Sequence, residues 1–228
     1  MSTMPFYVAP EQLMKDRSEY ARKGIARGKP VVALEYADGI VFIADNPSTH
    51  LHKISEVYDR IAFAGVGKYS EFENLRIAGV RMADVRGYSY GREDVNVKAV
   101  ANAYSQVLSD IFTQQMKPYE VEILVAQVGE GGEEDELFHI LFDGSVSDEE
   151  GFVIMGGEAE GLSAALKASY QADMPLDDAV KAGVGALSQA NEGPLEPARV
   201  EAAALDRTRK ARRKFRRLSI DDVTRILG

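Results

Sequence analysis

The residues best suited to binding chemistry are concentrated at 47–69, and a lysine and a glycine within this stretch stand out. Lys53 starts a strand predicted at 52–57, and Gly67 ends an apolar strand predicted at 61–66. An Asp-Arg pair between them predicts a tight reversal, so the hairpin should bring Lys53 and Gly67 to the same end of a sheet. An ammonium binds anions and a glycine lets a ligand approach the backbone closely. The pair therefore predicts a binding pocket rather than an active site.

The same stretch contains an imperfect phosphate-binding loop at residues 62–69, Ala-Phe-Ala-Gly-Val-Gly-Lys-Tyr. Ala62 stands where the first glycine of such a loop is needed, and Tyr69 stands where a hydroxyl should reach magnesium. The glycines at 157–161 do not match a dinucleotide-binding pattern either, and a strand-to-helix turn explains them. The sequence therefore disfavours nucleotide binding.

Two histidines, His50 and His52, are spaced to place both imidazoles on one face of a strand. No third metal-binding residue type follows them closely, so surface histidines are favoured over a metal site. We expect no metal and no cofactor.

The basic run at residues 207–217 is the sharpest charge feature of the chain. One interpretation is binding to nucleic acid or another acidic partner. The favoured interpretation is a solvated turn between two late strands, because the net charge is -9 and Phe215 is the only aromatic residue in the run. We expect nucleic acid not to be a partner.

The composition bounds the class of protein. With 228 residues, 45% of them apolar, the chain can form one sizeable core. It contains no cysteine, which excludes disulfides and thiolate nucleophiles. It also lacks an apolar run of roughly 20 residues, as a membrane span needs, and its first residues do not resemble a signal peptide. We expect a cytoplasmic protein without membrane contact, comprising a mobile segment at 1–9 and a single domain at 10–228.

Hairpins and pairs of helices alternate along this domain. A helix begins at Pro10 and ends at Gly28, and an Asp-Gly pair at 38–39 joins the first two strands. Later helices are predicted from Tyr69 to about Ala83, from a cap at Asn96, after the glycines at 156–157, from Pro175 and from a cap at Ser219. Further strands are predicted at 31–36, 40–44, 121–128, 136–142, 152–155 and 199–205. Residues 87–94 are predicted as a loop. Two antiparallel sheets with helices on both outer faces would bury all the apolar stripes, which predicts an α+β fold, a four-layer α/β/β/α sandwich with an extra N-terminal helix.

Four segments carry a resemblance to a known family: Ser-Glu-Tyr-Ala-Arg-Lys-Gly at 18–24, Lys-Ile at 53–54 ahead of the strand ending at Gly67, Lys-Pro-Tyr-Glu-Val-Glu at 117–122, and Met-Gly-Gly-Glu at 155–158. In this order and spacing they resemble the proteasome family over residues 7–227. Segments 6–8, 58–60 and 68–76 look most like α-type subunits of actinobacterial 20S proteasomes. The resemblance implies the N-terminal-nucleophile hydrolase-like fold. Archaeal and eukaryotic α subunits carry a Tyr-Asp-Arg triplet near the N-terminus, which this chain lacks. The way in which those subunits keep the entrance of their ring closed is therefore not implied for this chain.

The resemblance also bears on catalysis. The β-type relatives use an N-terminal threonine at the start of the first strand, with its own amine as base. Here that strand is preceded by Lys29 and Pro30, while Asp45 and Lys53 match the supporting carboxylate and lysine of β-type subunits. The resemblance therefore implies no catalytic residue in this chain, which would be part of a threonine-type endopeptidase complex whose chemistry lies in β-type subunits.

By resemblance, the chain forms an outer heptameric ring that stacks on β-type subunits, admits unfolded protein substrates and docks the C-terminal tails of a ring-shaped ATPase activator. The implied docking pocket comprises Lys53, Gly67 and Arg22. The implied gate comprises Ser2, Thr3, Met4, Pro5, Phe6, Tyr7 and Val8. Two alternatives remain at this point, a free-standing N-terminal-nucleophile hydrolase and a nucleic-acid adaptor acting through the 207–217 run.

Overall fold

The computed structural model describes residues 9–157, 159–191 and 193–228. The predicted gate residues 2–8 lie outside the described residues.

The two hairpins predicted near the N-terminus both form, and each contributes to a different sheet. Strands β1 (Val31–Tyr36) and β2 (Gly39–Asp45) form the first, and β3 (Ile54–Tyr58) and β4 (Ile61–Gly67) form the second. The Asp-Arg pair makes the second reversal, as the sequence predicts. The first reversal lies at Ala37 and Asp38, one residue earlier than predicted, and Gly39 is already the first residue of β2.

Further strands in the described residues complete two five-stranded antiparallel sheets. They are β5 (Val121–Gln127), β6 (Glu136–Ile140), β7 (Val146–Glu149), β8 (Phe152–Met155), β9 (Val200–Asp206) and β10 (Phe215–Arg217). The first sheet has the order β10-β9-β2-β1-β8 and the second β3-β4-β5-β6-β7. Strand β9 therefore lies directly beside β2, although more than a hundred residues separate them along the chain.

The described residues form six α-helices: α1 (Pro10–Ala26), α2 (Tyr69–Ser89), α3 (Val97–Gln114), α4 (Ala159–Ser169), α5 (Leu176–Gln189) and α6 (Ile220–Leu227). Both predicted caps are confirmed. The Asn96 side chain accepts a hydrogen bond from the backbone N–H of Ala99 (2.9 Å), and Ser219 forms a capping box with Asp222. None of the helices in the described ranges combines the length and apolarity needed to cross a membrane.

Three buried clusters define the layers. Ala33, Phe42 and Leu124 belong to the core between the sheets, which also receives Ala21 and Ile25 from α1. The outer face of the first sheet packs on α4, α5 and α6, and that of the second on α2 and α3. Full burial of one such large side chain stabilises the fold by roughly 1.5–3 kcal/mol. The predicted four-layer α/β/β/α sandwich with an extra N-terminal helix is confirmed.

Two element predictions are wrong. Helix α2 continues to Ser89, although residues 87–94 were expected to form a loop. A glycine at position 87 is compatible with the helix because the Tyr58 hydroxyl packs where a side chain would otherwise be. A Cβ at position 87 would lie 2.0 Å from that oxygen. Strand β7 was not predicted, because Val-Ser-Asp-Glu at 146–149 is a polar, mostly exposed edge strand.

Candidate functional site

The hairpin register brings Lys53 and Gly67 to the same end of the second sheet. Ile54 lies opposite Ala64, and the carbonyl of Lys53 accepts a hydrogen bond from the N–H of Gly65 (3.0 Å). Gly67 follows two residues later at the end of β4. The predicted placement of the two residues is confirmed.

Only glycine fits the backbone at position 67. Its φ angle of +105° lies in the region that other residues rarely adopt, and a Cβ would lie 1.9 Å from the carbonyl oxygen of Glu120. The end of α1 is also close, since a Cβ on Gly28 would lie 3.1 Å from the backbone nitrogen of Gly67. This end of β4 is therefore a place where three segments of main chain approach each other without intervening side chains.

The Lys53 ammonium is held by main-chain oxygens. It donates to the carbonyl of Lys29 (2.7 Å) and to the carbonyl of Asp45 (3.1 Å). Burial lowers the pKa of Lys53 to about 8, and the nearby charges of Asp45 and Glu201 oppose that shift. An ammonium has three N–H donors, of which the described part of the chain takes up two.

The carboxylate beside Lys53 already has a partner. Asp45 is completely buried, and both of its carboxylate oxygens accept hydrogen bonds from the guanidinium of Arg199 (2.7 and 2.8 Å). The Lys29 ammonium lies 3.7 Å from the same carboxylate. Because the negative charge of Asp45 is matched by these cations, and the carbonyls that Lys53 contacts are neutral, the charge of Lys53 remains available to an anion at this surface.

Arg22 lies on α1 in a different recess. Its side chain is exposed, its guanidinium carbon lies 5.8 Å from the centre of the Phe142 ring, and it lines the recess together with Glu122 and Gly156. Burial opposes the charged form of Glu122, but His139, the N–H of Gly156 and, least of these, the charge of Arg22 together lower its pKa. The structure thus brings Lys53 and Gly67 together at one end of the sheet. It places Arg22 in a separate recess beside Glu122.

A sequence model described as proteasome subunit matches residues 25–204. The chain belongs to the proteasome subunit family.

Proteins named proteasome subunit alpha, from actinobacteria, are similar to it over nearly its whole length. The chain is 58% identical over 227 residues to that of Kineococcus radiotolerans, an alignment covering 96% of this chain and 95% of the relative. It is 58% identical over 222 residues to that of Acidothermus cellulolyticus, covering 95% and 94%. It is 57% identical over 226 residues to that of Geodermatophilus obscurus, covering 95% and 78%.

In this proteasome subunit, Lys29 and Pro30 stand immediately before β1, at the place where the β-type resemblance would put a threonine. The Lys53 ammonium contacts the Lys29 carbonyl there. Lys53 and Asp45, which match the β-type pattern, thus lie next to Lys29 and Pro30. Neither Lys29 nor Pro30 has a hydroxyl that could act as the nucleophile.

The glycine-rich turn of the proteasome subunit is followed by a mostly buried carboxylate, that of Glu71. The N–H of Lys68 donates to the carbonyl of Glu120 (2.9 Å), and the carboxylate of Glu71 occupies the first turn of α2. That carboxylate is mostly buried and accepts from the Lys117 ammonium (2.8 Å) and the Glu120 N–H (2.7 Å). A negative side chain in this position opposes phosphate binding.

The basic run of the proteasome subunit is bound to its own acidic side chains. Arg207 pairs with Asp135 (2.7 Å), and the almost fully buried Lys214 pairs with Glu130 (2.6 Å). These pairs link the β9–β10 loop of the first sheet to the β5–β6 loop of the second. The run is thus less solvated than the sequence suggested.

Sequence reasoning missed Arg199 and Glu201. Arg199 pairs with Asp45, and Glu201 accepts from the N–H of Lys53 (2.9 Å). The available signal was two charged residues at the start of a strand that is otherwise apolar. Arg199 is 154 residues from Asp45 along the chain, and Glu201 is 148 residues from Lys53. These pairs therefore became visible only through the position of β9.

Proposed function

We propose that this chain is a non-catalytic α subunit of a 20S proteasome core in the cytoplasm. In this proposal it forms a heptameric outer ring, stacks on a ring of β-type subunits, gates the entry of unfolded protein substrates, and docks a ring-shaped ATPase. The support is its membership of the proteasome subunit family and its similarity to proteins named proteasome subunit alpha.

The observation that carries the docking proposal is the available charge of Lys53 beside Gly67. A C-terminal tail ends in one carboxylate, which an ammonium with a remaining N–H can bind. Gly67 lets the backbone of the tail approach. In a closed ring, a neighbouring copy supplies the other wall of each cleft. Arg22 lines a separate recess in the single chain, so the proposal rests on Lys53 and Gly67.

The Lys29-Pro30 pair supports the absence of catalysis. Neither residue has the hydroxyl and free amine that an N-terminal nucleophile needs. We therefore assign peptide hydrolysis to the β-type partner and regard the alternative of a free-standing hydrolase as disfavoured.

Substitution of Lys53 tests the docking proposal in the particle assembled with its β-type partner. Losing the ammonium leaves a docked carboxylate unpaired, at a cost of roughly 2–5 kcal/mol if the contact is desolvated. Lys53→Ala should leave assembly and tripeptide hydrolysis near normal but abolish stimulation by the ATPase. Amidating the ATPase tail should have the same effect on the natural subunit.

The matched control is Lys68→Ala, which removes an exposed lysine next to Gly67 that pairs with Glu71 at 3.5 Å. It should retain stimulation. If Lys53→Ala responds to the ATPase like the natural subunit in physiological salt, the docking assignment is wrong.

Two assays on the isolated chain separate the other classes of function. A fluorogenic peptide should remain uncut, and cleavage blocked by a threonine-directed inhibitor would favour the hydrolase. Salt-dependent retention on DNA would favour the nucleic-acid adaptor, which the internal pairing of the 207–217 run disfavours.

A further inference from the structure

One carboxylate connects the two sheets at the candidate docking site. Glu201 lies on β9 opposite Ala44 of β2, and only 9% of its side chain is exposed. From the first sheet, its carboxylate reaches the start of β3 in the second sheet. Oxygen Oε2 accepts from the N–H of Lys53 (2.9 Å), and Oε1 accepts from the N–H of Ile54 (3.2 Å).

Three side chains complete the surroundings of Glu201. The amide of Asn46 donates to Oε2 (2.7 Å), the guanidinium of Arg217 donates to Oε1 (2.9 Å), and Nδ1 of His52 lies 3.3 Å from Oε1. Both carboxylate oxygens are therefore engaged by donors from different segments. A carboxylate has only acceptors, so it can serve all of these donors at once.

These contacts fix the main chain of Lys53 from both sides. Glu201 binds its N–H, and the N–H of Gly65 binds its carbonyl (3.0 Å). The side chain then extends from this fixed point to the carbonyls of Lys29 and Asp45. The direction of the ammonium thus depends on where Glu201 holds its backbone.

We propose that Glu201 is a positioning residue of the docking site, which holds Lys53 where its ammonium can meet the terminal carboxylate of an ATPase tail. This inference rests on the proposed function of Lys53. Glu201 itself does not touch the tail. It acts by linking the two sheets at the Lys53 backbone.

The sign of the effect distinguishes positioning from simple electrostatics. The Glu201 charge also supports the protonation of Lys53, so binding is compared at about pH 6, well below the Lys53 pKa of about 8, where the ammonium stays charged. There, replacing Glu201 by glutamine removes a negative charge near Lys53, which by Coulomb attraction alone would strengthen the binding of an anionic tail. It also puts an amide NH₂ group against N–H donors, which disturbs the anchoring of Lys53. Positioning therefore predicts weaker binding, and electrostatics alone predicts tighter binding.

The experiment measures binding of a fluorescein-labelled octapeptide, with the C-terminal sequence of the ATPase that stimulates the particle, to the particle assembled with its β-type partner. Glu201→Gln should weaken binding of the free-carboxylate peptide about tenfold, which is the lower end of the loss found when a residue that orients a metal ligand is changed and serves here as the scale for a positioning residue. The amidated peptide should show no such difference. Glu56→Gln is the control, since Glu56 lies on β3, the strand whose start Glu201 contacts, but pairs with Arg213 instead.

A double-mutant cycle separates positioning from general destabilisation. On a Lys53→Ala background, Glu201→Gln should cause no further loss of peptide affinity, whereas a purely structural effect would add to it. Glu201→Asp provides a second variant that keeps the charge but shortens the side chain by one methylene, and it should weaken binding similarly.

Unchanged or tighter binding of the free-carboxylate peptide by Glu201→Gln, or an additive loss in the cycle, would overturn the role of Glu201 while leaving that of Lys53 intact. If instead Lys53→Ala binds the peptide like the natural subunit, the docking site itself is wrong, and the inference about Glu201 falls with it.

Discussion

At the residue scale, the central feature is a lysine whose positive charge is retained at a partly buried position. The ammonium of Lys53 donates to two neutral carbonyls, while the neighbouring Asp45 carboxylate is bound by Arg199. Burial disfavours the charged ammonium and lowers the pKa of Lys53 to about 8. A small change of surroundings, such as an arriving carboxylate, can therefore change the proton occupancy of this group near neutral pH.

We predict a pH-dependent affinity for ATPase tails. A carboxylate binds the protonated ammonium, so affinity should be nearly constant below about pH 7 and should fall above about pH 8, by at most tenfold per pH unit. Titration of the labelled tail peptide against the assembled particle measures this. The Lys53→Arg variant is the control, because a guanidinium stays charged throughout this range. A fall of the same size in Lys53→Arg would show that another group titrates.

At the element scale, the end of the molecule that we propose to dock the activator depends on how β4 passes into α2. The chain turns at Gly67 with φ +105°, and the N–H of Lys68 then bonds to the carbonyl of Glu120 ahead of β5. This bond fixes the start of α2 relative to β5. The glycine therefore has a conformational role as well as its proposed role in admitting a ligand.

Gly67→Ala should destabilise the fold by roughly 1–3 kcal/mol, because alanine adds backbone strain and a clash with the Glu120 carbonyl. Chemical unfolding of the isolated chain measures the loss. The matched control is Gly185→Ala in α5, where the position is exposed and no atom lies within 4 Å of an added Cβ. This control should gain roughly 0.5–1 kcal/mol from helix propensity. Equal stabilities of the two variants would contradict the strain argument.

At the scale of the whole molecule, the two ends of the sandwich differ. Helix α2 begins beside Gly67 and spans 21 residues, so it ends about 30 Å away at a rise of 1.5 Å per residue. That far end exposes Val85 (66%), Tyr88 (95%) and Tyr90 (80%). In the proposed barrel, the Lys53 end faces the activator, so the end that carries Tyr88 faces the β-type ring.

We predict that Tyr88→Asp combined with Tyr90→Asp prevents association with the β-type partner. The isolated chain should keep its stability because both side chains are exposed. Native mass spectrometry of the co-expressed subunits measures assembly. Met116→Asp is the control, because Met116 is 97% exposed but follows α3 at the opposite end, next to Lys117 and its partner Glu71. Normal assembly of the double variant would contradict the assigned orientation.

The proposed gate is also a property of the whole particle. Deleting residues 2–8 should speed the degradation of long unfolded substrates more than that of tripeptides, because only the longer chains need the wider opening. A nine-residue segment extends to about 30 Å at most, which suits the occlusion of a narrow channel by several copies. Comparing rates for substrates of graded length tests this, and equal acceleration at every length would count against a gate.

The sequence by itself determined the features that depend on nearby residues. Asp-Gly and Asp-Arg pairs indicated the two hairpins, and caps at Asn96 and Ser219 specified helix starts. The second hairpin placed Lys53 and Gly67 at one end of a sheet. Turn chemistry, capping and side-chain alternation act over a few residues, so a linear pattern contains them.

Only the tertiary structure decided which distant groups meet. Arg199 reaches Asp45, and Glu201 reaches Lys53, because β9 pairs with β2 and both strands contact β3 of the other sheet. Tyr58 packing on Gly87 likewise extended α2 beyond its predicted end. Strand order and packing between layers depend on burial summed over the whole core, so no local pattern of residues specifies these partners.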